Sequence, residues 1–322
     1  MIRYDYLKPS SLEEAIGLLK QYGGQAKLIA GGTDVMVGIR QKKYAPQVLI
    51  SLRGIEGLSY IREEDGGLRI GALTTHRELE KSPLVKERFG ALADAVENLG
   101  SVQIRNVATI GGNICNAAPS ADTAPPLLVL GASVRIKGSG GERVLPLEEF
   151  FLGPGETALK DDEILVEFII PSPPPNSASA YWKHTRRQAM DLPIIGVAMM
   201  LAVEKTEAPA LKEAFGRRAS LDELLGILDK SEIICREVRL ALGVAAPTPM
   251  RASKAEEFLR GKRVTQEALL QFGEIASSEA TPRDTVRGAA WYRREMIRVL
   301  PKRLALKCLE RILHKDQKEG GK

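Results

Sequence analysis

Apolar residues recur with helical spacing near the start of the chain. Ser11 and Glu14 have the spacing of a capping box, which predicts that a helix begins there. Gly23 and Gly24 predict where this helix ends. Between these points, four apolar side chains follow the i, i+3, i+4, i+7 pattern of an amphipathic helix: Leu12, Ala15, Ile16 and Leu19.

Further apolar runs predict a succession of strands and helices. The predicted strands are rich in Ile, Leu and Val: KLIA, QVLIS, LRIGA, SVRIK, EILVEFII, IIGVAMMLAV and REVRLALGV. The predicted helices are residues 84–99 as one continuous element, PPLLVLGA, SKAEEFLRG and TQEALLQFGEIASSEA. We expect residues 208–236 to form a loop with one short helix. Together these elements predict the α+β class.

A proline-rich stretch, PSPPPNSAS at residues 171–179, interrupts this succession. Proline lacks a backbone N–H group and fixes its own φ angle, so such a stretch cannot continue a helix or a central strand. We therefore predict an extended linker there. It separates a first domain, residues 1–177, from a second domain, residues 178–322, which ends in a helical tail.

The composition predicts a folded protein, because 44% of the residues are hydrophobic and 27% are charged. The sequence has neither the pattern of a signal peptide nor an apolar run of the ~18 residues that a membrane span requires. We therefore expect a cytoplasmic protein without a membrane span. Three distant cysteines, Cys115, Cys235 and Cys308, predict no disulfide framework and no metal site, so no iron–sulfur cluster is expected in this chain.

Most of the net charge of +5 comes from a basic stretch near the C-terminus, YRREMIRVLPKRLALKCLERILHK. Its apolar residues have helical spacing: Ile297, Leu300, Leu304, Cys308 and Ile312. We interpret the stretch as a helix, with Pro301 as a potential kink, that packs on the protein's own core and exposes a basic face. Docking of a partner is the alternative. Nucleic-acid binding is not expected, because no aromatic residues interleave with the basic ones.

The first candidate binding segment is AGGTD, residues 30–34, between a predicted strand and a predicted helix. Gly31 and Gly32 allow backbone N–H groups to approach an anion without an intervening Cβ atom. Thr33 is a candidate N-cap and hydroxyl donor, and the Asp34 carboxylate suits the positive end of the helix dipole. Tight turns use the same residue types, so this loop by itself is ambiguous.

The second candidate segment is TIGGN, residues 109–113, within TIGGNICNAAPSAD. Small and amide side chains dominate these fourteen residues, and Asp122 is the only charged one. Such a segment suits a flat, polar ligand such as a dinucleotide. We expect a side chain placed at Gly111 to occupy the space of the pyrophosphate. Neither segment fits the G-x-G-x-x-G or P-loop pattern.

In these loops and in several further segments, the chain resembles the FAD-binding medium subunits of molybdenum hydroxylases, such as xanthine, nicotinate and carbon monoxide dehydrogenases. The resemblance covers nearly the whole chain. It implies a two-part FAD-binding fold of the vanillyl-alcohol oxidase type, with subdomains of about 1–57 and 58–177, followed by a smaller α+β C-terminal domain. The segments that carry it are AGGTD, TIGGN, ADTAPPLLVLGA, EILVEFIIP, YWKHTRRQAMDLPIIGVAM, VRLALGVAAPTPMRA and TPRDTVRGAAWYRREM.

The resemblance also implies which residues bind the FAD, without a covalent bond. Asp122 would accept hydrogen bonds from sugar or ribityl hydroxyls, and Leu99 and Leu165 would form apolar walls near the isoalloxazine. Lys183 would favour the anionic reduced flavin by Coulomb attraction, unless it is an ordinary surface lysine. The pyrophosphate would be wrapped by Leu28, Ile29, Ala30, Gly31, Gly32, Thr33, Asp34 and Val35, and by Thr109, Ile110, Gly111, Gly112 and Asn113.

The family mechanism implies partners for this chain. A large subunit would hold the molybdenum cofactor and hydroxylate the substrate, and a small subunit would hold two [2Fe–2S] clusters. This chain would pass the electrons through FAD to an external acceptor, which could be NAD, a quinone, a ferredoxin or oxygen. The expected assembly is a dimer of heterotrimers. No catalytic residue is expected here, because the cofactor performs the chemistry.

Other interpretations remain open at this stage. One is a stand-alone flavoenzyme of the same fold, with covalent FAD attached at His76 or Cys115 as the candidate positions. Another is a non-catalytic basic scaffold or nucleic-acid binder, which would need no flavin. The 4-hydroxybenzoyl-CoA reductases carry an extra iron–sulfur cluster in this subunit, and the lone Cys115 in the FAD region argues against one here.

Overall fold

The computed structural model describes residues 3–204 and 207–319. The helices are α1 (Leu12–Tyr22), α2 (Val35–Arg40), α3 (His76–Lys81), α4 (Pro83–Arg88), α5 (Gly90–Glu97), α6 (Val102–Arg105), α7 (Ile110–Cys115), α8 (Ala124–Val129), α9 (Pro209–Gly216), α10 (Leu221–Leu228), α11 (Ser253–Leu259), α12 (Gln266–Glu279) and α13 (Ala290–Glu319). The strands are β1 (Asp5–Leu7), β2 (Ala26–Ile29), β3 (Val48–Ser51), β4 (Ile61–Glu64), β5 (Gly67–Gly71), β6 (Ser133–Gly138), β7 (Gly141–Pro146), β8 (Phe151–Gly153), β9 (Glu156–Thr157), β10 (Ile164–Ile170), β11 (Ser177–His184), β12 (Ile195–Val203), β13 (Cys235–Gly243) and β14 (Met250–Arg251).

A small parallel sheet opens the fold, with strand order β1-β3-β2. Helix α1 covers it, and its apolar stripe joins the β3 side chains in one core cluster. The helix begins where predicted, because the Ser11 hydroxyl accepts a hydrogen bond from the Glu14 N–H at 3.1 Å. It ends where predicted as well, since Gly23 adopts a left-handed φ of 51°. Strand β2 leads directly into AGGTD.

An antiparallel sheet follows, with strand order β4-β5-β10-β6-β7. Helices α5, α7 and α8 contribute to the core on this sheet, where Ile110 and Ile114 of α7 lie in one cluster with Ile70 and Phe168. Strand β5 ends at Gly71, and the residues after it run beside the second glycine loop. TIGGN therefore packs directly on the main core through α7.

The last large sheet has the antiparallel order β11-β12-β13-β14. Every residue of β12 is buried, because both faces of the strand are covered. Ala198, Met200 and Ala202 belong to the main core, whereas Met199 and Leu201 belong to the core formed with α11, α12 and α13. This alternation is that of a strand between two layers, where successive side chains point to opposite faces.

The prediction of one helix over residues 84–99 is wrong. Helix α4 ends at Arg88, and α5 begins at Gly90. A Cβ atom at position 90 would lie 2.6 Å from the Ser179 carbonyl oxygen, so the chain passes very close to β11 at this point. Ser179 also accepts a hydrogen bond from the Ala91 N–H at 3.0 Å. The break thus comes from a contact that is remote in sequence.

Two other expectations need correction. The proline-rich stretch does not extend to Ser179, since β11 begins at Ser177 and pairs with β12 from there. Residues 208–236 do not form a loop with one short helix. They contain α9, α10 and the first residues of β13, with residues 205 and 206 outside the described part of the chain. Leu211, Phe215, Leu225 and Leu228 are buried in the second core.

The basic C-terminal stretch forms α13, which continues through Pro301. Its apolar stripe lies in the second core, as predicted. Part of its basic face is also used within the protein, because Arg311 donates to both carboxylate oxygens of Asp94 on α5 at 2.8 and 3.0 Å, and Lys307 donates to the same group at 3.0 Å. Within residues 3–204 and 207–319, every helix is too short or too polar to span a bilayer.

Candidate functional site

The first glycine loop joins β2 to α2. Gly31 lies so close to the Val107 carbonyl oxygen that any Cβ atom there would overlap with it, which makes glycine a packing requirement. Gly32 has a left-handed φ of 77°. The prediction that Thr33 caps the helix is wrong, because Asp34 occupies the N-cap position and makes no capping hydrogen bond with its side chain.

Backbone N–H groups of the first glycine loop have no acceptors among the described residues. From Gly31 to Val35, none of the amides donates a hydrogen bond to any described residue, and the first bond of the helix is that from the Met36 N–H to the Gly32 carbonyl oxygen. The first N–H groups of a helix have no acceptor within the helix, and here the preceding glycines add further unpaired amides. Such a run of N–H groups before a helix N-terminus suits an anion such as a pyrophosphate.

The second glycine loop is organised differently. Its amides are largely used within the protein, since Ile110 donates to the Thr74 carbonyl oxygen at 3.0 Å and Gly111 to that of Ala72 at 2.9 Å. Thr109 caps α7 by accepting from the Gly112 N–H at 3.1 Å. A Cβ atom at Gly111 would lie 2.6 Å from the Ala72 carbonyl oxygen, so close packing against the end of β5 requires glycine here, and the expected overlap with a pyrophosphate stays a prediction.

Gly112 is the more open of the two glycines. A Cβ atom at this position would meet the Thr109 hydroxyl at 3.0 Å, with no other atom of the described chain within 4 Å. The loop therefore presents its Gly112 side to the surroundings, while Gly111 seats α7 against the end of β5. The second loop allows a ligand to come close to its backbone at Gly112, whereas the first loop offers N–H groups that have no acceptor among the described residues.

One side-chain hydrogen bond joins the two loops, since the Asn116 amide donates to the Asp34 carboxylate at 3.3 Å. On the side of the second loop, the Thr123 hydroxyl donates to the Asn113 amide oxygen at 2.7 Å. Burial raises the pKa of Asp34, opposed by a hydrogen bond from Thr33. The residues predicted to wrap one pyrophosphate thus lie side by side, although about 80 residues separate them in sequence.

Asp122 and Lys183 form a buried ion pair. Lys183 on β11 donates to one carboxylate oxygen of Asp122 at 2.8 Å and to the Asn98 carbonyl oxygen at 2.9 Å, while the Tyr181 hydroxyl donates to the other carboxylate oxygen at 2.9 Å. The two charged side chains are only 7% and 6% exposed. The alternative of an ordinary surface lysine is therefore wrong.

The electrostatics of this pair follow from its burial. Burial raises the pKa of Asp122, and the ammonium of Lys183 opposes the shift. Burial and the nearby carboxylate also raise the pKa of Tyr181 well above its ordinary value, so its hydroxyl remains a donor. An ammonium has three N–H donors, and two acceptors are present among the described residues, so one donor is left for a ligand.

The apolar candidates all contribute to packing. Leu99 and Leu165 are 7% and 3% exposed, and Leu165 lies on β10 within the main core. Leu28 and Ile29 belong to β2, Ala30 is half-buried after it, and Val35 packs beside Ile29. These side chains shape the walls around the loops, and their contact with a flavin stays a prediction.

Neither candidate position for covalent attachment presents a reactive group. His76 is fully buried, both of its ring nitrogens lack hydrogen-bond partners among the described residues, and burial together with nearby Arg105 lowers the pKa of His76 to about 4. Burial raises the pKa of the Cys115 thiol to about 12, so it is not a thiolate near neutral pH. In the described part of the chain, no group of three His, Cys, Asp or Glu side chains is placed to hold a metal ion.

Comparisons with known proteins identify the family of this chain. Residues 2–173 match the family described as the FAD binding domain in molybdopterin dehydrogenase, and residues 224–308 match the CO dehydrogenase flavoprotein C-terminal domain. The chain belongs to the molybdopterin dehydrogenase flavoprotein family. It is therefore an FAD-binding subunit of an oxidoreductase, as the resemblance in its sequence implied.

Individual relatives of this flavoprotein cover almost its whole length. It is 34% identical over 301 residues to the xanthine dehydrogenase FAD-binding subunit of Escherichia coli O157:H7, covering 93% of this chain and 94% of the relative. It is 30% identical over 322 residues to the nicotinate dehydrogenase FAD-subunit of Eubacterium barkeri, covering 99% and 98%.

A solved structure also resembles the flavoprotein in its fold. Carbon monoxide dehydrogenase from Hydrogenophaga pseudoflava superposes with a TM-score of 0.84 at 31% identity, covering 96% of this chain and 98% of that one. This match confirms the α+β class and the order of an FAD-binding fold followed by a C-terminal domain. The boundary at residue 177 stays a prediction.

Sequence reasoning missed two residues that organise the flavoprotein's site. Val107 receives Gly31, and Tyr181 completes the pair at Asp122. Tyr181 lies inside YWKHTRRQAMDLPIIGVAM, a segment that carried the family resemblance, and that was the available signal. Val107 could not be identified from its residue type, because its backbone makes the contact.

Proposed function

We propose that this chain binds FAD non-covalently across its two glycine loops and relays electrons from iron–sulfur clusters of a partner subunit to an external acceptor. The observation that carries the proposal is the run of unpaired amides from Gly31 to Val35 beside the Asp34–Asn116 link. A run of unpaired amides leading into a helix N-terminus is a common anion-binding arrangement.

The residues of the site fit a dinucleotide in both shape and charge. Bound FAD would accept and release electrons, and the protein's contribution would be position, potential and access. The first loop would donate N–H groups to the pyrophosphate, and the open side of Gly112 would allow close approach of the second loop. Neither loop contains Lys or Arg, so oriented backbone dipoles would supply most of the attraction.

Asp122 and Lys183 would act on the redox end of the cofactor. Lys183 keeps one N–H donor and a positive charge in a poorly solvated position, which would favour added negative charge nearby. Asp122 and Tyr181 hold the ammonium in place. Each carboxylate oxygen of Asp122 has a second lone pair, so the group could still accept a hydroxyl of the ribityl or sugar moiety.

The relay requires partners that supply the electrons. We propose a large subunit with the molybdenum cofactor and a small subunit with [2Fe–2S] clusters, in a dimer of heterotrimers. The carbon monoxide dehydrogenase structure that this chain resembles is described as lacking the Mo-pyranopterin moiety of its molybdenum cofactor, so the complete enzyme carries that cofactor, which supports the first of these partners. The substrate would then bind outside this chain, and no residue here is assigned to it.

Absorbance spectroscopy of the purified chain tests the proposal. We expect a yellow protein that releases FAD completely when precipitated with acid and regains its colour on mixing with FAD. A chain that stays colourless after reconstitution would refute FAD binding, and colour that resists acid would favour a stand-alone enzyme with covalent flavin. Reduction of the bound flavin by the iron–sulfur subunit, followed in stopped-flow absorbance, tests the relay.

A further inference from the structure

Two adjacent loops expose large apolar side chains at one end of the C-terminal half. We call residues 185–192 together with residues 283–291 the rim patch. Val286, Trp291 and Met190 in this patch are 93%, 68% and 62% exposed. Among the described residues, Val286 and Trp291 are the most exposed large apolar side chains. Large apolar side chains exposed on two adjoining segments are typical of interaction sites.

Hydrogen bonds hold the rim patch in one conformation. Arg186 in the first loop donates to the Val286 carbonyl oxygen at 3.2 Å, which joins the two loops. Arg293, although only 1% exposed, donates to the Ile194 carbonyl oxygen at 2.8 Å and to the Thr285 hydroxyl at 2.7 Å. A buried arginine therefore ties the second loop to the start of β12. A surface that is ordered before binding loses less entropy when a partner docks.

The charges around these apolar side chains are mainly positive. Exposed arginines surround them: Arg186, Arg187, Arg283 and Arg287. Asp191 and Asp284 are the acidic residues of the patch, so four positive charges face two negative ones and the net charge is +2. Asp191 lies 3.6 Å from Arg187, and Asp284 accepts from the Ala290 N–H at 2.7 Å. An apolar centre with Trp and Arg is typical of protein interfaces, and the cationic rim selects an acidic partner.

The rim patch lies at the same end of the protein as the Asp122–Lys183 pair. Strand β11 carries Tyr181 and Lys183 and ends at His184, directly before the patch begins. His184 is within hydrogen-bond distance of the Tyr292 hydroxyl at 2.9 Å, and the ring of Tyr292 contacts that of Trp291 edge-on at 5.7 Å. A protein docked on the patch would therefore lie beside the residues that we assign to the redox end of the cofactor.

We propose that the rim patch is the docking surface for the acidic protein partner that delivers electrons to this chain. The inference rests on the proposed function, because it assigns the partner of the same site. Trp291 and Val286 would enter an apolar depression of the partner, and the arginines would face carboxylates around it. A nucleic acid would use the same positive charge, but it binds by stacking successive bases on several aromatic side chains, and Trp291 is the one aromatic residue of the patch.

Charge and apolar variants of the rim patch test this inference in the assembled complex. Val286→Asp, Trp291→Ala and the double variant Arg186→Glu/Arg187→Glu would each be co-expressed with the iron–sulfur and molybdenum subunits. Leu152→Asp is the matched control, since Leu152 is 67% exposed and lies outside the patch on β8. Flavin content per chain is measured first. The affinity for the purified iron–sulfur subunit is then measured at several salt concentrations.

We expect the patch variants to retain full flavin while binding the iron–sulfur subunit about 30-fold more weakly for Trp291→Ala, as for a central interface tryptophan. The double arginine variant should also lose most of the salt dependence. Normal assembly of all three variants would overturn the inference, as would loss of flavin, which would place the patch in the cofactor site. Tighter binding to an oligonucleotide than to the subunit would favour nucleic acid. A wild-type chain without flavin would refute the proposed function. The affinity for the iron–sulfur subunit is a separate measurement, so the two failures can be distinguished.

Discussion

Replacing Lys183 with methionine would leave the buried Asp122 carboxylate without its cation. The pair is separated by 2.8 Å, and both side chains are more than 90% shielded from solvent. At an effective dielectric constant of about 20, the Coulomb attraction at this distance is about 6 kcal/mol, which is an upper bound because desolvation opposes it. We expect Lys183→Met to lower the free energy of unfolding by about 3–5 kcal/mol at pH 8.

The double variant Lys183→Met/Asp122→Asn should be far less damaging than the single one. It removes both charges and keeps the Tyr181 hydroxyl paired with an amide oxygen, so no buried charge is left without a partner. We expect a loss of about 1–2 kcal/mol relative to the wild type, since removing a whole buried pair is often close to neutral. The control is Lys254→Met at an exposed position, where we expect a change within about 0.5 kcal/mol.

The pH dependence gives this prediction its sign. Burial already raises the pKa of Asp122, and loss of the ammonium that opposes the shift should raise this pKa further in the folded variant. A carboxyl whose pKa is raised on folding destabilises the folded state above that pKa, and the penalty declines as the pH falls from the folded-state pKa towards the unfolded-state pKa of about 3.9. Lys183→Met should therefore differ most from the wild type at pH 8 and least near pH 5.

Urea unfolding of the flavin-free chain, followed by tryptophan fluorescence, measures these differences, since Trp182 is adjacent to Lys183. The flavin-free form separates the ion pair from any effect on cofactor binding. Equal destabilisation by the single and double variants would refute the reasoning, because it would mean that the unpaired carboxylate costs nothing. A penalty that is independent of pH would refute the electrostatic cause.

Three further predictions concern other parts of the structure. Gly31→Ala should abolish flavin retention in the absorbance assay, because its Cβ would overlap with the Val107 carbonyl oxygen. The control is Gly17→Ala, where the space around the residue is open. This variant should retain flavin and stabilise α1 by about 0.5–1 kcal/mol. Because the pKa of His76 is lowered to about 4, the wild type should lose up to about 3 kcal/mol of stability as the pH falls from about 6.5 to 4. His76→Leu should lack this loss when the free energy of unfolding is measured across this pH range. The same pH dependence in the variant would contradict the prediction. Arg311→Met should remove the bidentate contact between α13 and Asp94, leave the contact of Lys307 with Asp94 in place, and lower the thermal unfolding midpoint. Rescue by Arg311→Lys should be partial, because lysine cannot form the bidentate contact.

Local sequence patterns predicted much of the fold and less of the site. The strands of the last sheet and α1 followed from apolar spacing and capping residues, which act over a few positions. The break at Gly90 could not be predicted this way, because its cause is the approach of Ser179. Asp122 and Lys183 were assigned separate roles, and their pairing depends on a strand that begins more than 50 residues later.

The glycine pairs illustrate the same limit. Both GG pairs were interpreted as space left for a ligand, yet Gly31 and Gly111 are glycines because other backbone segments lie against them. A sequence shows that a side chain is absent, but not which neighbour requires its absence. The unpaired amides of the first loop are equally invisible in sequence, because every residue carries an N–H group and only the fold decides whether it finds an acceptor.

Strand β12 has a consequence for how the protein folds and can be divided. Its alternate side chains complete two cores at once, one shared with the FAD-binding half and one with α13. If the chain were cut near residue 177, the N-terminal fragment would lose β12 and expose part of the main core to water. The C-terminal fragment would keep β12 and expose the side chains that β12 contributes to the main core. The two halves should therefore unfold together in a single calorimetric transition, and separately expressed halves should be recovered only when they are produced in the same cell.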